Sequence, residues 1–493
     1  MPYAITQLCC TDASCVAACP VNCIHPTPDE PDFGTTDMLY VDPRTCIDCG
    51  ACAEACPVDA VLPVEMLTGS LADYPAINAE YFAGTEPAAR AEGSPLFHDW
   101  GPVTFDRVLP ADFPRLDVAV VGSGPAGMYA VQDLLLHTTA RVTLYDRLPV
   151  AGGLVRFGVA PDHPGTKRIG ETFARYLDHH RLTLRLGVEV GRDVGTEELA
   201  RRHDAVVYAV GAPTARPLGV PGEELAGHLP STTVVGWYNG HPEVAADSVP
   251  LDAERAVVIG TGNVALDIAR ILAADPSTLD GTTIAPAVLE RLRASRIREV
   301  VVLGRRGPED AAYTRGELLA LLRRDDLQLV VDDHDPRVGA AIDAAGPGDH
   351  AALLRDVPRL SDAPAGDGRR RIVLRFHAPT EALVGDDRVT AVRAGGVDLP
   401  AGLVVRAIGH RGRPTAGLPF DEETGTVPNT AGRVDGRPGT YVVGWVKRGP
   451  GGGIGTNRRD AAETVGSLIE DGKNGVVGAR PRRPNLLRRL TSM

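Results

Sequence analysis

The chain has 493 residues, of which 43% are hydrophobic and 23% are charged, and its formal net charge is −13. This length allows roughly two to four domains, and the composition is that of a soluble globular protein rather than a disordered one. No apolar run approaches the ~18 residues of a transmembrane helix. The N-terminus, MPYAITQLCC, lacks the basic and long apolar segments of a signal peptide, so we expect a cytoplasmic protein.

The negative charge is concentrated at the N-terminal end of the chain. Residues 1–64 carry nine acids against one base, Arg44, and residues 65–115 add a further balance of −5. The remaining residues are neutral on balance. This distribution argues against a nucleic-acid partner and predicts an acidic module that faces a neutral or locally basic body. An acidic surface that serves only solubility is the alternative.

All nine cysteines precede residue 57, and an odd, clustered set favours metal binding over disulfides. The second group, Cys46-x2-Cys49-x2-Cys52-x3-Cys56-Pro57, has the spacing of bacterial ferredoxins, in which the fourth cysteine ligates the other cluster. A zinc site would instead favour paired knuckles separated by a longer loop. We therefore predict a [4Fe-4S] cluster whose ligands are Cys46, Cys49, Cys52 and Cys19.

The first group has the same spacing, Cys9-x2-Asp12-x2-Cys15-x3-Cys19-Pro20, with Asp12 in the place of the second cysteine. A carboxylate is a harder and weaker iron ligand than a thiolate. We predict a [3Fe-4S] cluster held by Cys9, Cys15 and Cys56; a [4Fe-4S] cluster with Asp12 or water on the fourth iron is the alternative. Cys10 and Cys23 are left over as buried thiols, although Cys10 could substitute as a ligand. Together with the strand-like Met38–Asp42, both groups resemble seven-iron bacterial ferredoxins over residues 1–65.

Residues 66–115 are rich in proline and predict a wrapping linker with a short helix near 77–82. The next pattern is a buried strand (116–121), a glycine turn, a helix (128–137) and a second strand (141–145) that ends at Asp146. This order is typical of a dinucleotide-binding unit, with the pyrophosphate at the helix N-terminus and Asp146 on the adenosine ribose. The glycines of the turn are Gly122, Gly124 and Gly127, with Ser123 between the first two.

A second unit of this kind begins with the strand 256–259 and continues into the helix 266–272. Its following strand, 300–303, ends in Arg305 and Arg306 rather than an acid. A cationic fork suits a 2′-phosphate, so we predict NADP(H) here and FAD at the first unit. The turn residues of the second unit are Gly260, Gly262, Asn263, Val264 and Ala265.

Strands at 205–210 and 403–408 are expected to be the crossings between two domains. A last strand, 440–444, leads into a glycine-rich turn at Trp445–Asn457 and a helix at 456–471, whose N-terminus we expect near the flavin ring. The predicted fold is α/β, with two Rossmann-like domains preceded by an α+β ferredoxin-like domain. The expected division is a ferredoxin-like domain at 1–65, a linker at 66–115, an FAD domain at 116–212 and 410–475, an NADP domain at 213–409 and a basic tail at 476–493.

The segments 153–164, 262–272, 304–308 and 445–450 in combination resemble adrenodoxin reductase and its bacterial ferredoxin–NADP reductase relatives, over about residues 115–472. With the cysteine module in front, the chain is similar to the ferredoxin-fused reductases of actinobacteria. The resemblance implies FAD contacts at Ser123, Gly124, Asp146, Leu154, Val188, Trp445, Gly452, Gly453 and Ile454. It implies NADP contacts at Asn263, Val264, Arg305, Arg306 and Glu317, with Gly452 near the nicotinamide, and it places His163 beside the flavin as a catalytic residue.

Two positions depart from the family pattern. Ala320 replaces an acid that many relatives have, so a proton-relay role at that position is not carried over. Gly152 and Gly153 stand where these reductases usually have an aromatic residue before the glycine.

The predicted function is NADPH:ferredoxin oxidoreductase. A hydride passes from NADPH to FAD, and single electrons then pass to the fused clusters or to an external ferredoxin, with a cytochrome P450 as one conceivable consumer. One alternative is an electron-input subunit of a larger, glutamate synthase-like complex. The other is an iron or redox sensor with little turnover. No membrane partner is expected.

Overall fold

A computed structural model describes residues 2–87, 95–99, 108–346, 349–363 and 368–478. Most of the expected basic tail, including Arg480–Arg489, and part of the expected linker lie outside the described residues. None of the helices in the described ranges is both long enough and apolar enough to cross a bilayer.

The N-terminal module consists of short elements built around the cysteine motifs. They are β1 (Tyr3–Ile5), α1 (Ser14–Ala18), β2 (Ile24–His25), β3 (Tyr40–Val41), α2 (Ala51–Ala55), β4 (Val61–Pro63) and α3 (Tyr74–Tyr81). β1 pairs with β4 and β2 pairs with β3, both antiparallel. This α+β arrangement is the one that the two motifs predicted.

The module is an internal repeat with an offset of 37 positions, as from Cys9 to Cys46. Its backbone repeats as well as its cysteines. Left-handed residues occur at equivalent places in the two halves, at Thr11 and Asp48 and again at Ala13 and Gly50. Because a positive φ is costly outside glycine, this agreement means that the same loop shape wraps each thiol set.

Helix α3 lies within the range that we predicted as linker, and it is part of the packed module. The side-chain oxygen of Asn78 accepts hydrogen bonds from the backbone N–H of Ile5 at 3.0 Å and of Val41 at 2.9 Å. Tyr74 is buried and packs in one apolar cluster with Leu319 of the reductase body. No hydrophobic period in the sequence predicts that α3 packs into the module, because this packing depends on the buried side-chain amide of Asn78, which joins β1 and β3.

The reductase body has two further groups of elements. The first contains β5 (Asp117–Val121), α4 (Pro125–His137), β6 (Arg141–Asp146), α5 (Gly153–Phe157), α6 (Pro164–Lys167), α7 (Ile169–Leu177), β7 (Leu182–Leu186), α8 (Thr196–Arg202), β8 (Ala205–Tyr208) and β9 (Thr214–Ala215). The second contains β10 (His228–Pro230), α9 (Ser231–Tyr238), β11 (Arg255–Ile259), α10 (Asn263–Ala273), α11 (Pro286–Arg293), β12 (Glu299–Leu303), α12 (Arg315–Leu322), β13 (Leu327–Val331), α13 (Pro336–Ala344), β14 (Arg370–Arg375), β15 (Thr380–Val384), β16 (Ala391–Ala394), β17 (Val397–Pro400) and β18 (Leu403–Arg406).

The chain then returns to the first group. The returning elements are β19 (His410–Arg411), β20 (Asn429–Thr430), β21 (Arg433–Val434), β22 (Thr440–Val442), α14 (Trp445–Arg448) and α15 (Ile454–Lys473). They complete a seven-stranded sheet of order β20-β21-β22-β8-β5-β6-β7, beside a six-stranded parallel sheet of order β10-β18-β11-β12-β14-β13. The two chain crossings pair with each other as an antiparallel β9–β19 ribbon.

The apolar cores follow the sheets. Two clusters cover the faces of the six-stranded sheet. A third is continuous from the cysteine module through α4 and α15 to one face of the seven-stranded sheet. The module is therefore packed onto the body as part of one core, on the side where α15 begins.

Candidate functional site

The first glycine turn is a close-packed cradle at the carboxyl end of β5. Gly122 has a φ of +107°, and a Cβ there would overlap the carbonyl oxygen of Ala209. A Cβ at Gly127 would overlap the carbonyl oxygen of Gly122, so α4 can begin directly behind the turn. The free N–H groups at the start of α4 form the anion site that a pyrophosphate needs. The turn therefore fits a dinucleotide such as FAD.

Asp146 ends β6 as expected, and it also braces the turn. Its Oδ2 accepts hydrogen bonds from the N–H of Ser123 at 2.8 Å and from its hydroxyl at 2.5 Å, while Oδ1 accepts one from Leu148 N–H at 2.9 Å. A carboxylate can accept about four hydrogen bonds. Lone pairs therefore remain for the ribose hydroxyls that we assigned to Asp146.

Gly153, the second residue of the unusual glycine pair, lies against the same turn. It has a φ of +50°, and a Cβ there would stand 2.6 Å from the Cα of Gly124. The preceding Gly152 has a φ of +126°. Gly153 thus lets α5 approach the dinucleotide turn, and the structure gives no such reason for the replacement of the aromatic residue by Gly152. Leu154 follows with 49% of its surface exposed, whereas Val188 is partly buried beyond β7.

The second glycine turn repeats this design at the end of β11. A Cβ at Gly260 would overlap the carbonyl oxygen of Ala407, and Gly262 is the N-cap of α10. Asn263 is tied to the loop before α12, because its Oδ1 accepts a hydrogen bond from Thr314 N–H at 2.8 Å. The adjoining Val264 is partly buried and Ala265 is fully buried.

Arg305 and Arg306 both project into solvent beyond β12. Arg306 forms an exposed ion pair with Asp310 at 3.2 Å. Across the part of the chain that the structure describes, no hydrogen bond or ion pair reaches Arg305. An exposed cation without an acidic partner is available to a phosphate.

A buried charge cluster lies where α10, α12 and the loop before α6 meet, and it includes two of the predicted residues, His163 and Glu317. At its centre, Arg270 of α10 donates to Asp162 at 2.7 Å and to Asp267 at 2.6 Å. Arg270 also lies 3.3 Å from Glu317 and 2.5 Å from Nε2 of His163. The guanidinium of Arg270 thus contacts all three acids and the histidine.

The cluster shifts the pKa values of its members in opposite directions. Burial would lower the pKa of His163, but the hydrogen bond with Asp267 and the charge of Glu317 together raise it above its ordinary value. Burial and the neighbouring Asp267 raise the pKa of Glu317. Burial works against the ionised form of Asp162, but Arg270 outweighs it and lowers the pKa of that carboxyl. The acids around His163 therefore favour its charged form, while burial and Asp267 favour the neutral form of Glu317.

Sequence reasoning missed Asp162, Asp267 and Arg270. A signal for the last two was present, because they interrupt an otherwise apolar helix one turn apart. Their charges are buried only because α10, α12 and the loop before α6 meet at this point.

The turn from Trp445 to Ile454 joins β22 to the start of α15, as predicted. The indole N–H of Trp445 donates to the carbonyl oxygen of Gly451 at 3.1 Å, and the ring stacks on His410 with centroids 5.8 Å apart. Gly452 has a φ of +75°, and a Cβ there would lie 2.6 Å from the hydroxyl of Thr456. Gly453 is the N-cap of α15, and Ile454 is its first residue. The first backbone N–H groups of α15, which have no partner within the helix, therefore lie at the end of this turn.

The thiols of Cys46, Cys49 and Cys52 gather with that of Cys19, which comes from the other motif. These four cysteines, together with Cys23 and Tyr3, line one cavity. The Sγ atoms of Cys19 and Cys23 are 3.4 Å apart. Hydrogen bonding from Cys23 holds the pKa of Cys19 and of Cys46 below the usual range, which favours the thiolates that iron needs.

Cys9, Cys15 and Cys56 form the second gathering of thiols. Sγ of Cys9 accepts backbone N–H groups from Thr11 at 3.4 Å and Leu39 at 3.5 Å, and Sγ of Cys56 accepts one from Ala60 at 3.2 Å. Such N–H to sulfur bonds stabilise cluster thiolates. Burial raises the pKa of the free Cys9 thiol to about 11, so metal binding there releases protons.

Asp12 takes the equivalent place of Cys49, and both of its oxygens have protein partners. Oδ2 accepts the Ser14 hydroxyl at 2.5 Å and the guanidinium of Arg458 at 2.7 Å, and Oδ1 accepts the Ser14 N–H at 3.4 Å. Arg458 lies on α15, so the carboxylate joins the module to the helix that begins at the Trp445 turn. Its charge is compensated by an arginine.

The interface between module and body carries acids on one side and arginines on the other. Asp59 pairs with Arg168 and Asp73 with Arg323. This matches the acidic module and locally basic body that the charge distribution predicted. The two backbones approach closely at Gly455, where a Cβ would overlap the carbonyl oxygen of Cys10.

Comparisons with known proteins agree with this architecture. Residues 116–277 match the family model of pyridine nucleotide-disulphide oxidoreductases, and residues 8–60 match that of 4Fe-4S dicluster domains. A probable ferredoxin/ferredoxin–NADP reductase of Mycobacterium tuberculosis is 43% identical, over 99% of this chain and 87% of its own length. The NADPH-ferredoxin reductase FprA of the same organism is 44% identical, over 73% of this chain and 85% of its own.

A solved structure of that FprA in complex with NADPH superposes with a TM-score of 0.67 and 41% identity, over 75% of this chain and 87% of that one. The 75% of this chain that superposes on FprA is about the size of the reductase body. The dicluster family model matches residues 8–60, which belong to the N-terminal module. The chain belongs to the ferredoxin–NADP reductases of the adrenodoxin reductase-like family, and it carries a ferredoxin-like iron–sulfur module at its N-terminus.

Proposed function

We propose that the protein is an NADPH:ferredoxin oxidoreductase that uses FAD to divide a hydride into single electrons. The observation that carries the proposal is the contact of the Cys10–Asp12 loop with the start of α15, immediately after the turn assigned to the flavin. The Cys10–Asp12 loop belongs to the first cysteine motif, so this contact supports electron transfer between the flavin turn and that motif within one polypeptide. The flavin, when bound, accepts two electrons as a hydride and releases them one at a time.

The protein's own residues bind and orient the two nucleotides. Arg305 and Arg306 bind the 2′-phosphate of NADPH, and the N-terminus of α10 binds its pyrophosphate, with Asn263 steadying the neighbouring loop. The start of α4 and Asp146 bind FAD in the same manner. Trp445 and the Gly452–Ile454 turn form the wall against the flavin ring.

His163 is the proposed catalytic residue beside the flavin. Its Nε2 lies 3.4 Å from Asp267 and 3.9 Å from Glu317, and these acids raise its pKa, which favours an imidazolium that would stabilise negative charge developing nearby. Ala320 cannot take part in proton transfer. The acids that surround His163 and Arg270 here are Asp162, Asp267 and Glu317. Arg270 keeps these carboxylates in place.

For the clusters we propose [4Fe-4S] on Cys19, Cys46, Cys49 and Cys52, and [3Fe-4S] on Cys9, Cys15 and Cys56. The pairing of Asp12 with Arg458 supports three thiolate ligands without a carboxylate. An Asp12-ligated [4Fe-4S] cluster would require the carboxylate to leave that pair.

We propose further that the enzyme works in the cytoplasm and supplies a ferredoxin or another one-electron protein, a cytochrome P450 being one class of final consumer. One NADPH carries two electrons, so it reduces two such acceptors and releases NADP⁺ and one proton. Robust reduction of ferricyanide by NADPH would exclude the sensor alternative. Co-purification with a large subunit would favour the input-subunit alternative.

The coenzyme assignment is tested by reversing the charges of Arg305 and Arg306 together, as R305E/R306E. Each charged hydrogen bond to a phosphate contributes about 1.5–3 kcal/mol, so we expect the KM for NADPH to rise at least ~100-fold. The KM for NADH should change only a few-fold. The matched control, R201E/R202E, reverses an arginine pair on α8 and should leave both constants unchanged. Equal effects on NADPH and NADH would refute the assignment.

A further inference from the structure

Two side chains of the module, Gln7 and Leu8, lie against both nucleotide-binding parts of the reductase body. A Cβ on Gly165 of α6 would stand 2.6 Å from Cδ1 of Leu8. A Cβ on Gly316 of α12 would stand 2.7 Å from Cβ of Gln7. Both glycines are buried, so the absence of their side chains leaves the space that the module fills. The two module residues therefore bridge the flavin side and the coenzyme side of the body.

Both glycines adjoin the buried charge cluster. Gly165 follows His163 by two positions, and His163 is the N-cap of α6. Gly316 directly precedes Glu317 in the first turn of α12. Nε2 of the histidine lies 3.9 Å from the carboxylate of the glutamate. The two module side chains thus contact the backbone segments that bring the histidine and the glutamate together.

The first turn of α12 has further contacts with the module. The hydroxyl of Tyr74 donates a hydrogen bond to Oε1 of Gln7 at 2.5 Å, which orients that side chain against α12. Oδ2 of Asp37 accepts the backbone N–H of Arg315, the first residue of α12, at 3.2 Å. From its other side, the loop before α12 is tied to Asn263 of the second glycine turn. The start of α12 is therefore held between the module and the turn assigned to the coenzyme.

We propose that Gln7 and Leu8 are positioning residues for hydride transfer. They hold the segments that carry His163 and Glu317, and through them the two nucleotides, at the separation needed for reaction. The hydrogen and two electrons leave NADPH together for the flavin, so the module acts on this step before its clusters accept an electron. A displacement of about 1 Å by a residue far from the reacting atoms can lower a rate ~100-fold. This inference rests on the proposed function, because it places His163 beside the flavin.

The first test shortens each side chain in the holoenzyme, as Leu8→Ala and Gln7→Ala. The rate constant for NADPH oxidation is measured in an anaerobic single turnover, which does not depend on any external acceptor. We expect it to fall about tenfold in Leu8→Ala and several-fold in Gln7→Ala, because the reacting groups are no longer held in place. The Kd for NADP⁺ should change little, because the arginines assigned to its 2′-phosphate are untouched. Leu8→Met, which refills the space over Gly165, should restore most of the rate.

The matched controls loosen the module elsewhere on the same interface. Phe33 of the module lies 4.4 Å, at its ring centroid, from the guanidinium carbon of Arg459 on α15. Asp73 pairs with Arg323, which follows the last residue of α12. Phe33→Leu and Asp73→Asn should lower the unfolding free energy and leave the single-turnover rate unchanged. Equal rates in the wild type and both alanine variants, or an equal loss of rate in the controls, would overturn the proposal.

A second variant disturbs the same contact from the body, because Leu8 adjoins the cluster ligand Cys9. Gly165→Ala leaves the module's sequence intact, and its methyl would displace the side chain of Leu8. Iron content and the electron paramagnetic resonance spectrum should be those of the wild type, while the single-turnover rate falls as in Leu8→Ala. A wild-type rate in Gly165→Ala would contradict the contact through which Leu8 acts.

Failure of the proposed function gives a different result. If the wild-type holoenzyme does not oxidise NADPH in a single turnover, or if His163→Ala has the wild-type rate, the assigned site is wrong and this inference falls with it. If the wild type reacts rapidly and His163→Ala slows the reaction, but the Leu8 and Gln7 variants do not, only this inference falls.

Discussion

The two cysteine motifs have the same spacing and the same loop shape, yet they occupy different environments. The loop of the first motif carries Asp12 and lies against α15 of the body, while that of the second carries Cys49 and faces solvent. Local sequence sets how each loop curves around its thiols. What each loop touches depends on where the repeat is anchored. A single repeated unit thus has an inner side and an outer side.

The comparison also shows how a substitution at one ligand position can be accommodated. At the outer loop, a carboxylate would meet water. At the inner loop, Asp12 meets Arg458 and Ser14, so the carboxylate is compensated where the side chain is only 8% exposed. A buried carboxylate without such partners would be strongly destabilising.

The largest expected effect comes from making the two motifs identical with Asp12→Cys. A fourth thiolate completes the inner set, so the iron content should rise from about seven to about eight per chain. The oxidised [3Fe-4S] signal in electron paramagnetic resonance should disappear. Asp12→Ser is the control, because it removes the carboxylate without adding a thiolate and should leave about seven irons. An unchanged iron content in Asp12→Cys would contradict the assigned ligand sets.

A smaller effect is expected from two glycine substitutions, one at the contact between Cys10 and α15 and one within the loop of the second cysteine motif. In Gly455→Ala the new methyl would overlap the carbonyl oxygen of Cys10, and such overpacking costs about 1–3 kcal/mol. In Gly50→Ala the cost is about 1–2 kcal/mol, because φ is +75° and the methyl would also stand 3.0 Å from the hydroxyl of Tyr3. Denaturant unfolding measures both costs.

The spectra distinguish these two glycine variants further. Gly455→Ala should also disturb the flavin absorption, since Gly455 adjoins the flavin turn, whereas Gly50→Ala should disturb only the iron–sulfur absorption. A Gly455→Ala protein with unchanged flavin absorption and unchanged stability would show that the contact between Cys10 and α15 is not the close packing described above.

The smallest effect concerns the ion pairs between module and body. Arg458→Gln removes the partner of Asp12, and Arg323→Gln removes that of Asp73 elsewhere on the same interface. Arg323→Gln should cost only about 0.5–1 kcal/mol of unfolding free energy, because both members of its pair are partly exposed to solvent. Arg458→Gln should cost more, because it leaves the buried carboxylate of Asp12 with Ser14 alone. Arg458→Gln alone should change the electron paramagnetic resonance spectrum of the inner cluster. Identical spectra in the two variants would show that Asp12 does not need Arg458.

Much of the site was predictable because its signals are short-range. The cysteine spacings, the glycine turns at Gly122 and Gly260 and the arginines after β12 are local patterns whose geometry follows from a few adjacent residues. The fold class, the family and the reductase function were predicted from these patterns and are confirmed by the comparisons. The individual ligand and contact residues stay predictions.

The sequence by itself determined the two nucleotide turns, the cysteine repeat and the position of Asp12 within it, since each depends on backbone conformations that neighbouring residues specify. Only the tertiary structure decided that α3 belongs to the module, that Arg270 gathers His163 among buried acids, and that the Asp12 loop meets α15. These contacts join residues up to 446 positions apart. Their energies arise from burial and charge compensation between elements, which no local pattern in the chain records.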